Sequence, residues 1–350
     1  MNVRTTDLAQ LARPDRVGRI LAGLLADPRW TTAGVRLVAG GKSNLTFELT
    51  CEAGSVILRR PPAGHLLPKA HDMHRESRIQ RALAGTTVPV AAILLEEVSP
   101  GTLDVPFYVM EKVSGHVLRD ALPPGYAESA ADKVAITDAL VDTLAELHRI
   151  EPGAVGLATF GRPEGYLQRQ LARWTGQWEL SRREPVSEVE ELARQLASRL
   201  PATNAASIVH GDYRLDNCLM ALGTPARVAA VLDWELSTLG DPLADLGLLL
   251  FYWCEEGEPR PLLTPALTAQ PGFPGRDYVV QRYARRHDID FGMLPVYIAF
   301  AAFKFAVIAQ GVAARVADGQ MAGQEFGDLR QEIVRIAQVG LTQLAGTSMA

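Results

Sequence analysis

Apolar residues follow two different rhythms along this chain. Up to about residue 113 they come in short runs, at 35–39, 45–50, 55–59, 90–95 and 107–113. Runs of this length, rich in β-branched and aromatic residues and bounded by Gly, Pro and Ser, predict strands. Two helical patterns interrupt them. Residues 15–26 carry Val17, Ile20, Leu21, Leu24 and Leu25 on one stripe behind Pro14-Asp15, and 71–83 place Arg75, Ile79 and Leu83 at helical spacing. From about residue 128 the period becomes helical. Val134, Ile136, Leu140, Val141, Leu144 and Leu147 line one face of a helix ending near His148. Two more helices are expected in 163–200, where Trp174 and Trp178 share a face, and three in 275–345. The pattern predicts an α+β chain in two parts: residues 1–112 with a small five-stranded antiparallel sheet plus helix, and a larger, mainly helical part over 113–350.

Two short apolar runs interrupt the helical half. Ile208-Val209 leads to His210-Gly211-Asp212, and residues 228–232 lead to Asp233. Both read as buried strands whose ends present acids in loops, where a rigid scaffold usually places its chemistry. Asn217 and Asp233 offer hard oxygen donors of the kind that hold Mg²⁺ together with substrate phosphates. Asp212, five residues before Asn217, is then free to accept a proton from a hydroxyl. The order H-x-D-x-x-x-x-N, followed by an Asp at a strand end, is the catalytic arrangement of kinases.

The stretches His210-Gly211-Asp212-Tyr213-Arg214-Leu215-Asp216-Asn217, Leu232-Asp233-Trp234-Glu235 and Gly240-Asp241-Pro242-Leu243-Ala244-Asp245-Leu246-Gly247 resemble the aminoglycoside phosphotransferase family. The similarity runs from about residue 35 to about residue 310. The branch resembles the kinase-like domain that some relatives carry fused to an acyl-CoA dehydrogenase. The resemblance implies a protein-kinase-like fold of two lobes and transfer of the γ-phosphoryl group of ATP, with Mg²⁺, to a hydroxyl of a small molecule. The acceptor it points to is a hydroxyacyl-CoA or an aminoglycoside-like compound. Asp212 would be the base, and Arg214 would stand where a kinase lysine contacts the transferred group. Asn217 and Asp233 would hold the metal. The glycine turn Gly40-Gly41, with Ser43 and Asn44 at its tip, would cover the phosphates, and Glu111 and Val113 would present backbone groups to adenine, with Met110 behind the base. Asp245 would hold the catalytic loop by its backbone amides.

One departure stands out. Kinases place a lysine on the third strand, paired with a helix glutamate; this chain has Arg59 there, with Glu76 as the expected partner. Arginine keeps the charge and can grip a phosphate or carboxylate in two places, but with a different geometry. That departure motivates the alternative of a nucleotide-binding pseudokinase scaffold. Arg60, His65 and Lys69 mark a basic, Pro-rich loop that reads as a solvated loop or as one that meets a second phosphate-bearing substrate. The acidic run Glu255, Glu256 and Glu258 reads as a solvated helix end or as a wall for a cationic sugar.

Composition narrows the classes further. Over 350 residues the net charge is −5, which argues against a general nucleic-acid binder. Three cysteines without metal-type spacing fit buried thiols in a reducing cytoplasm. The longest apolar stretch, 294–309, is broken by Lys304 and falls short of the roughly 20 residues of a membrane span, so a core helix and no membrane association are expected. The pattern sets no oligomeric state.

Overall fold

Alternation along the first strands decides which way each side chain faces, and the first half of the chain is built on that. The computed structural model describes residues 5–38, 44–62, 72–202, 206–319, 321 and 325–346. The chain divides into two compact units: Met1–Ser114 with Ala229–Glu235, and Gly115–Val228 with Leu236–Ala350.

The first unit opens with α1 (Thr5–Ala12) and α2 (Pro14–Leu24). Strands β1 (Gly34–Leu37), β2 (Leu45–Cys51) and β3 (Gly54–Arg60) follow, then α3 (Met73–Leu83), β4 (Ile93–Glu97) and β5 (Phe107–Glu111). The five strands form one antiparallel sheet in the order β1-β2-β3-β5-β4. One face packs Phe47, Leu49, Val56, Leu58, Phe107 and Val109 against Val17 and Leu21 of α2 and against Trp30. The other face carries Tyr108 and Met110 beside Met73 of α3, with Ile57 and Ile93 partly buried against them. On β3 this alternation, the period-2 rule of strands, sends Arg59 and Arg60 to opposite sides. Arg60 is buried and donates to the Leu11 carbonyl at 2.7 Å and to Asp104 at 3.2 Å. It therefore belongs to the core and not to a basic substrate loop, which corrects the sequence expectation; His65 and Lys69 lie outside the described residues.

The second unit starts with the two-residue β6 (His116–Val117), then α4 (Ala130–Arg149), α5 (Tyr166–Ser181) and α6 (Ser187–Arg199). Next come β7 (Ser207–Val209), β8 (Cys218–Met220) and β10 (Thr238–Gly240), while β9 (Val228–Val231), which precedes β10 in the chain, belongs from Ala229 on to the first unit. The unit closes with α7 (Pro242–Tyr252), α8 (Arg276–Ala284), α9 (Leu294–Ala317) and α10 (Leu329–Ala345). Asp241 caps α7 by accepting from the Leu243 amide at 3.0 Å, with Pro242 as first residue. Helices α7 and α9 pack at the centre. A Cβ at Gly247 would lie 2.8 Å from the Tyr297 backbone, so only glycine allows this approach. Helix α9 has 24 residues, longer than the apolar run suggested and long enough to cross a membrane, yet 67% of its most apolar window is buried inside the protein. It is the core helix that the sequence reading expected.

Candidate functional site

Within the first unit, register builds a buried charge cluster. Arg59 on β3 pairs with Tyr108 on β5. The Tyr108 hydroxyl donates to Glu76 Oε2 of α3 at 2.9 Å. Arg59 Nε lies 3.1 Å from the same Glu76 oxygen, and Arg59 Nη2 donates to Asp233 Oδ1, also at 3.1 Å. The Asn44 amide, just ahead of β2, donates to Glu76 Oε1 at 2.6 Å and to Glu235 Oε2 at 3.3 Å. Burial opposes the Arg59 charge, but Tyr108, Glu76, Asp233 and Glu235 outweigh it, and its pKa rises above that of free arginine. Burial pushes the Glu76 carboxyl upward, against Arg59 and the Tyr108 hydroxyl. Arg59 thus joins a helix glutamate and the acid after β9 through one guanidinium, using the fork geometry that lysine lacks.

Asp233 also has an uncommon backbone conformation. Its φ is +63°, in the left-handed region that non-glycine residues rarely occupy. Such strained positions cost on the order of 1–3 kcal/mol and gather at ligand sites. The turn is fixed next door, where Trp234 is buried and donates from Nε1 to the Val231 carbonyl at 3.0 Å.

The remaining first-unit candidates are placed as follows. Asn44 is buried and hydrogen-bonded to two carboxylates, so it is not an exposed loop tip. Gly40, Gly41 and Ser43 lie outside the described residues. Glu111 ends β5, its amide donating to the Ala92 carbonyl at 2.8 Å, and Val113 follows two residues later.

In the second unit the loop after β7 is held from several sides. Asp245, on the first turn of α7 and fully buried, accepts the amides of His210 at 2.6 Å and Gly211 at 2.8 Å. Its Oδ2 also meets His148 Nε2 at 3.3 Å, and His148 Nδ1 meets the Tyr283 hydroxyl at 2.7 Å. Burial works against the Asp245 charge, yet His148 and His210 hold its pKa below the usual carboxylate range. This is the loop-holding role expected of Asp245, with His148 a packed histidine. Gly211 has φ +82°, and a Cβ there would sit 2.7 Å from the Leu236 carbonyl oxygen, so no other residue fits.

The loop presents Asp212. A short 3-10 turn, Leu215–Asn217, brings Asn217 back so that its Nδ2 donates to the Asp212 carbonyl at 2.9 Å and to Asp212 Oδ2 at 3.0 Å. The Tyr252 hydroxyl, at the end of α7, donates to Asp212 Oδ1 at 3.2 Å. Arg214 lies over the Tyr252 ring, 5.0 Å from its centroid, with Nε 3.0 Å from Asp216 Oδ1 and 3.7 Å from Asp212 Oδ2. Burial raises the Asp216 pKa despite Arg214. The structure therefore brings Asp212, Arg214 and Asn217 together, and adds Tyr252.

Each unit keeps one hard oxygen donor of the kind a divalent cation accepts. Asn217 spends its amide nitrogen on Asp212, which turns its carboxamide oxygen the other way, and Asp233 has one oxygen committed to Arg59. An amide oxygen and a carboxylate oxygen are each donor types that Mg²⁺ accepts. Among the described residues no group of three or more His, Cys, Asp or Glu could form a closed metal site. The three cysteines are free thiols, two of them buried. The acidic run after α7 is not a bare wall, because Arg276 pairs with Glu255 at 3.0 Å and with Glu258 at 2.6 Å.

Three participants escaped sequence reading. Tyr108 and Tyr252 reach their partners through strand register and helix packing, which leave no local signature. Lys304 was visible as the lone charge in an apolar run, but its partner, the Gly211 carbonyl at 2.5 Å, lies 93 residues away.

Comparison with known proteins agrees with this architecture. The family model described as the phosphotransferase enzyme family matches residues 34–279. Human acyl-CoA dehydrogenase family member 11 is 35% identical over 326 residues, covering 92% of this chain and 41% of that protein. Mouse acyl-CoA dehydrogenase family member 10 is 33% identical over 352 residues, covering 96% and 32%. The chain thus spans about two fifths or less of the length of these curated relatives. A Ralstonia eutropha protein classed with the aminoglycoside phosphotransferases superposes with a TM-score of 0.76 at 33% identity, over 91% of this chain and 94% of that one. A thermostable mutant of the aminoglycoside phosphotransferase APH(4)-Ia, in ternary complex with ADP and hygromycin B, gives 0.61 at 15% identity over 95% and 99%, a likeness of fold. The fold is protein-kinase-like, and the chain belongs to the phosphotransferase enzyme family.

Proposed function

We propose that this chain moves the γ-phosphoryl group of ATP to a hydroxyl of a small molecule, with Mg²⁺ as the metal. The observation that carries this reading is the Asp212 carboxylate, gripped on one oxygen by the Asn217 amide and on the other by the Tyr252 hydroxyl. A carboxylate fixed on both oxygens is aimed before its substrate arrives, and phosphoryl transfer depends mainly on positioning and charge placement.

Asp212 orients the acceptor hydroxyl and takes its proton as the new oxygen–phosphorus bond forms and the bond from the γ-phosphorus to the β–γ bridging oxygen breaks, with ADP as leaving group. Arg214, stacked on Tyr252, directs its guanidinium toward the transferred group. Arg59, held by Glu76, grips the other phosphates. The Glu111 amide is committed to Ala92, so adenine is met by the Glu111 carbonyl and the Val113 amide. Asn217 and Asp233 would hold Mg²⁺, which screens phosphate charge when bound.

ADP appears in complexes of structural neighbours, which supports ATP as donor. Relatives fused to acyl-CoA dehydrogenase sequences support a hydroxyacyl-CoA acceptor. The Arg276 pairing of Glu255 and Glu258 weighs against a polycationic one. The test is ADP release with hydroxyacyl-CoAs, aminoglycosides and sugars side by side. The Asp212→Ala variant should lose roughly 10²–10⁴ in turnover, the usual cost of a general base, and keep its affinity for ATP. Turnover at the parent rate would remove Asp212 from the mechanism.

A further inference from the structure

A lysine buried in the long apolar helix α9 is unexplained by packing. Lys304 lies in α9 among Phe300, Ala301, Phe303, Phe305 and Ala306, all buried, and is itself only 7% exposed. Taking an ammonium out of water is costly, and replacing a buried ion with an apolar side chain of similar volume is often neutral or stabilising. A residue selected for stability alone would be Leu or Met here.

What the ammonium touches gives it a purpose. Lys304 Nζ donates to the Gly211 carbonyl at 2.5 Å and sits 5.6 Å from the centroid of the Trp174 ring. The other side of Gly211 is fixed by Asp245, which accepts its amide at 2.8 Å. A glycine with φ +82°, excluded from bearing a side chain by Leu236, is therefore gripped at its N–H from α7 and at its C=O from α9. The carbonyl that Lys304 holds belongs to the Gly211–Asp212 peptide, so its orientation sets the direction in which the Asp212 backbone leaves the loop. A small pocket of about 30 Å³, lined by Gln170, Arg173, Trp174 and Gly211, borders the lysine. Burial lowers the Lys304 pKa, with Asp212 and Asp245 opposing that effect and Arg173 and Arg214 adding to it.

We propose that Lys304 is a positioning residue that clamps the Gly211–Asp212 peptide and so aims the Asp212 carboxylate. The inference rests on the reading of Asp212 as the base, and it adds a residue that touches neither nucleotide nor acceptor. A purely structural lysine would leave melting temperature and turnover coupled when it is removed. A positioning lysine separates them.

The experiment compares Lys304→Met, Lys304→Arg and Asp212→Asn in the full chain. It measures melting temperature, ADP release from ATP and Mg²⁺, and amide hydrogen exchange over residues 207–217. For Lys304→Met we expect an unchanged or higher melting temperature, faster exchange at Asp212 and Tyr213, and turnover down about tenfold or more, as a misaimed group costs. The KM for ATP should stay within about twofold, because the nucleotide contacts assigned above involve other residues. Lys304→Arg, which keeps the charge and has the adjoining pocket to fill, should recover part of both loop protection and turnover. Unchanged loop exchange in Lys304→Met overturns the clamp, as does a fall in melting temperature matching the fall in turnover. Full turnover in Asp212→Asn would instead sink the base assignment, and the exchange result would still decide whether Lys304 holds the loop.

Discussion

Tyr252 donates to one oxygen of Asp212 and supports the Arg214 guanidinium with its ring, so a single phenol serves two proposed catalytic groups. The two contributions can be separated. Tyr252→Phe removes only the hydrogen bond to the carboxylate, a charge-assisted contact of about 1.5–3 kcal/mol that is only partly lost where the Asn217 amide remains. Turnover should fall about three- to tenfold with the KM for ATP unchanged. Tyr252→Leu also takes away the surface under Arg214 and should cost more. Steady-state ADP release on both variants checks this; equal rates in Tyr252→Phe and the parent would leave Asp212 held by Asn217 alone. The same residues show what a sequence can say at this scale. Asp212, Asn217 and Asp233 could be singled out because the roles proposed for them require a fixed spacing along one local stretch, and Arg59 because a strand end imposes its place. Tyr252 was not, since a tyrosine 40 residues from its partner looks like any aromatic at a helix end. Nor could spacing reveal that Asp233 adopts φ +63°.

Among elements, the first sheet is tied at its edge by one carboxylate. Glu48 on β2 is nearly buried and accepts from Lys112, just beyond β5, at 2.6 Å, and from Arg36 on β1. The Lys112 hydrogen bond is the largest influence; with Arg36 it overcomes the opposing effect of burial and holds the Glu48 pKa at about 2. The folded pKa is below the unfolded one, so the stabilisation is present at neutral pH and disappears as pH falls from about 4.5 to about 2. The contribution is at most about 3 kcal/mol. Glu48→Gln should lower stability at pH 7, with the difference from the parent shrinking as pH approaches 2–3. Urea melts at pH 7, 4 and 3 measure it, and a difference independent of pH would exclude the ion-pair account. Element boundaries were legible where patterning is strong: β2, β3 and α4 begin or end within two residues of expectation. β4 begins three residues later than its apolar run: Ala92 still accepts the Glu111 amide, but the register with β5 starts only at Ile93. The two- and three-residue strands β6, β8 and β10 are too short to carry a period. Helix α9 outran its apolar stretch because Gln310 and Gly311 break the hydropathy without breaking the helix.

For the whole molecule, the choice between a working phosphotransferase and a nucleotide-binding scaffold turns on how Arg59 and Asp233 share their charges. Arg59 pairs with Asp233, so on the proposed reading part of the cost of binding Mg²⁺ and ATP is the breaking of that pair. Ligand that binds only the folded chain adds about 2.7 kcal/mol at a concentration a hundredfold above Kd, enough to raise the melting temperature by several degrees. ATP with Mg²⁺ should give this shift in the parent, and EDTA should remove most of it. Asp233→Asn should lose the magnesium-dependent part because a neutral amide is a poorer ligand for a hard cation. Arg59→Ala should melt lower without ligand, since Glu76 is left buried beside Tyr108 without its cation. It should also respond weakly to nucleotide. Arg59→Lys decides the point that the sequence left open. If a lysine restores the ATP shift and raises turnover, the arginine is a tolerated departure from the kinase pattern. If Arg59→Lys binds ATP but turns over more slowly than the parent, the bidentate pairing with Glu76 and Asp233 is part of how this branch positions its phosphates. A parent chain that is stabilised by ATP and Mg²⁺ but transfers to none of the acceptors would support the scaffold reading, with the grip on Asp212 left over from an active ancestor.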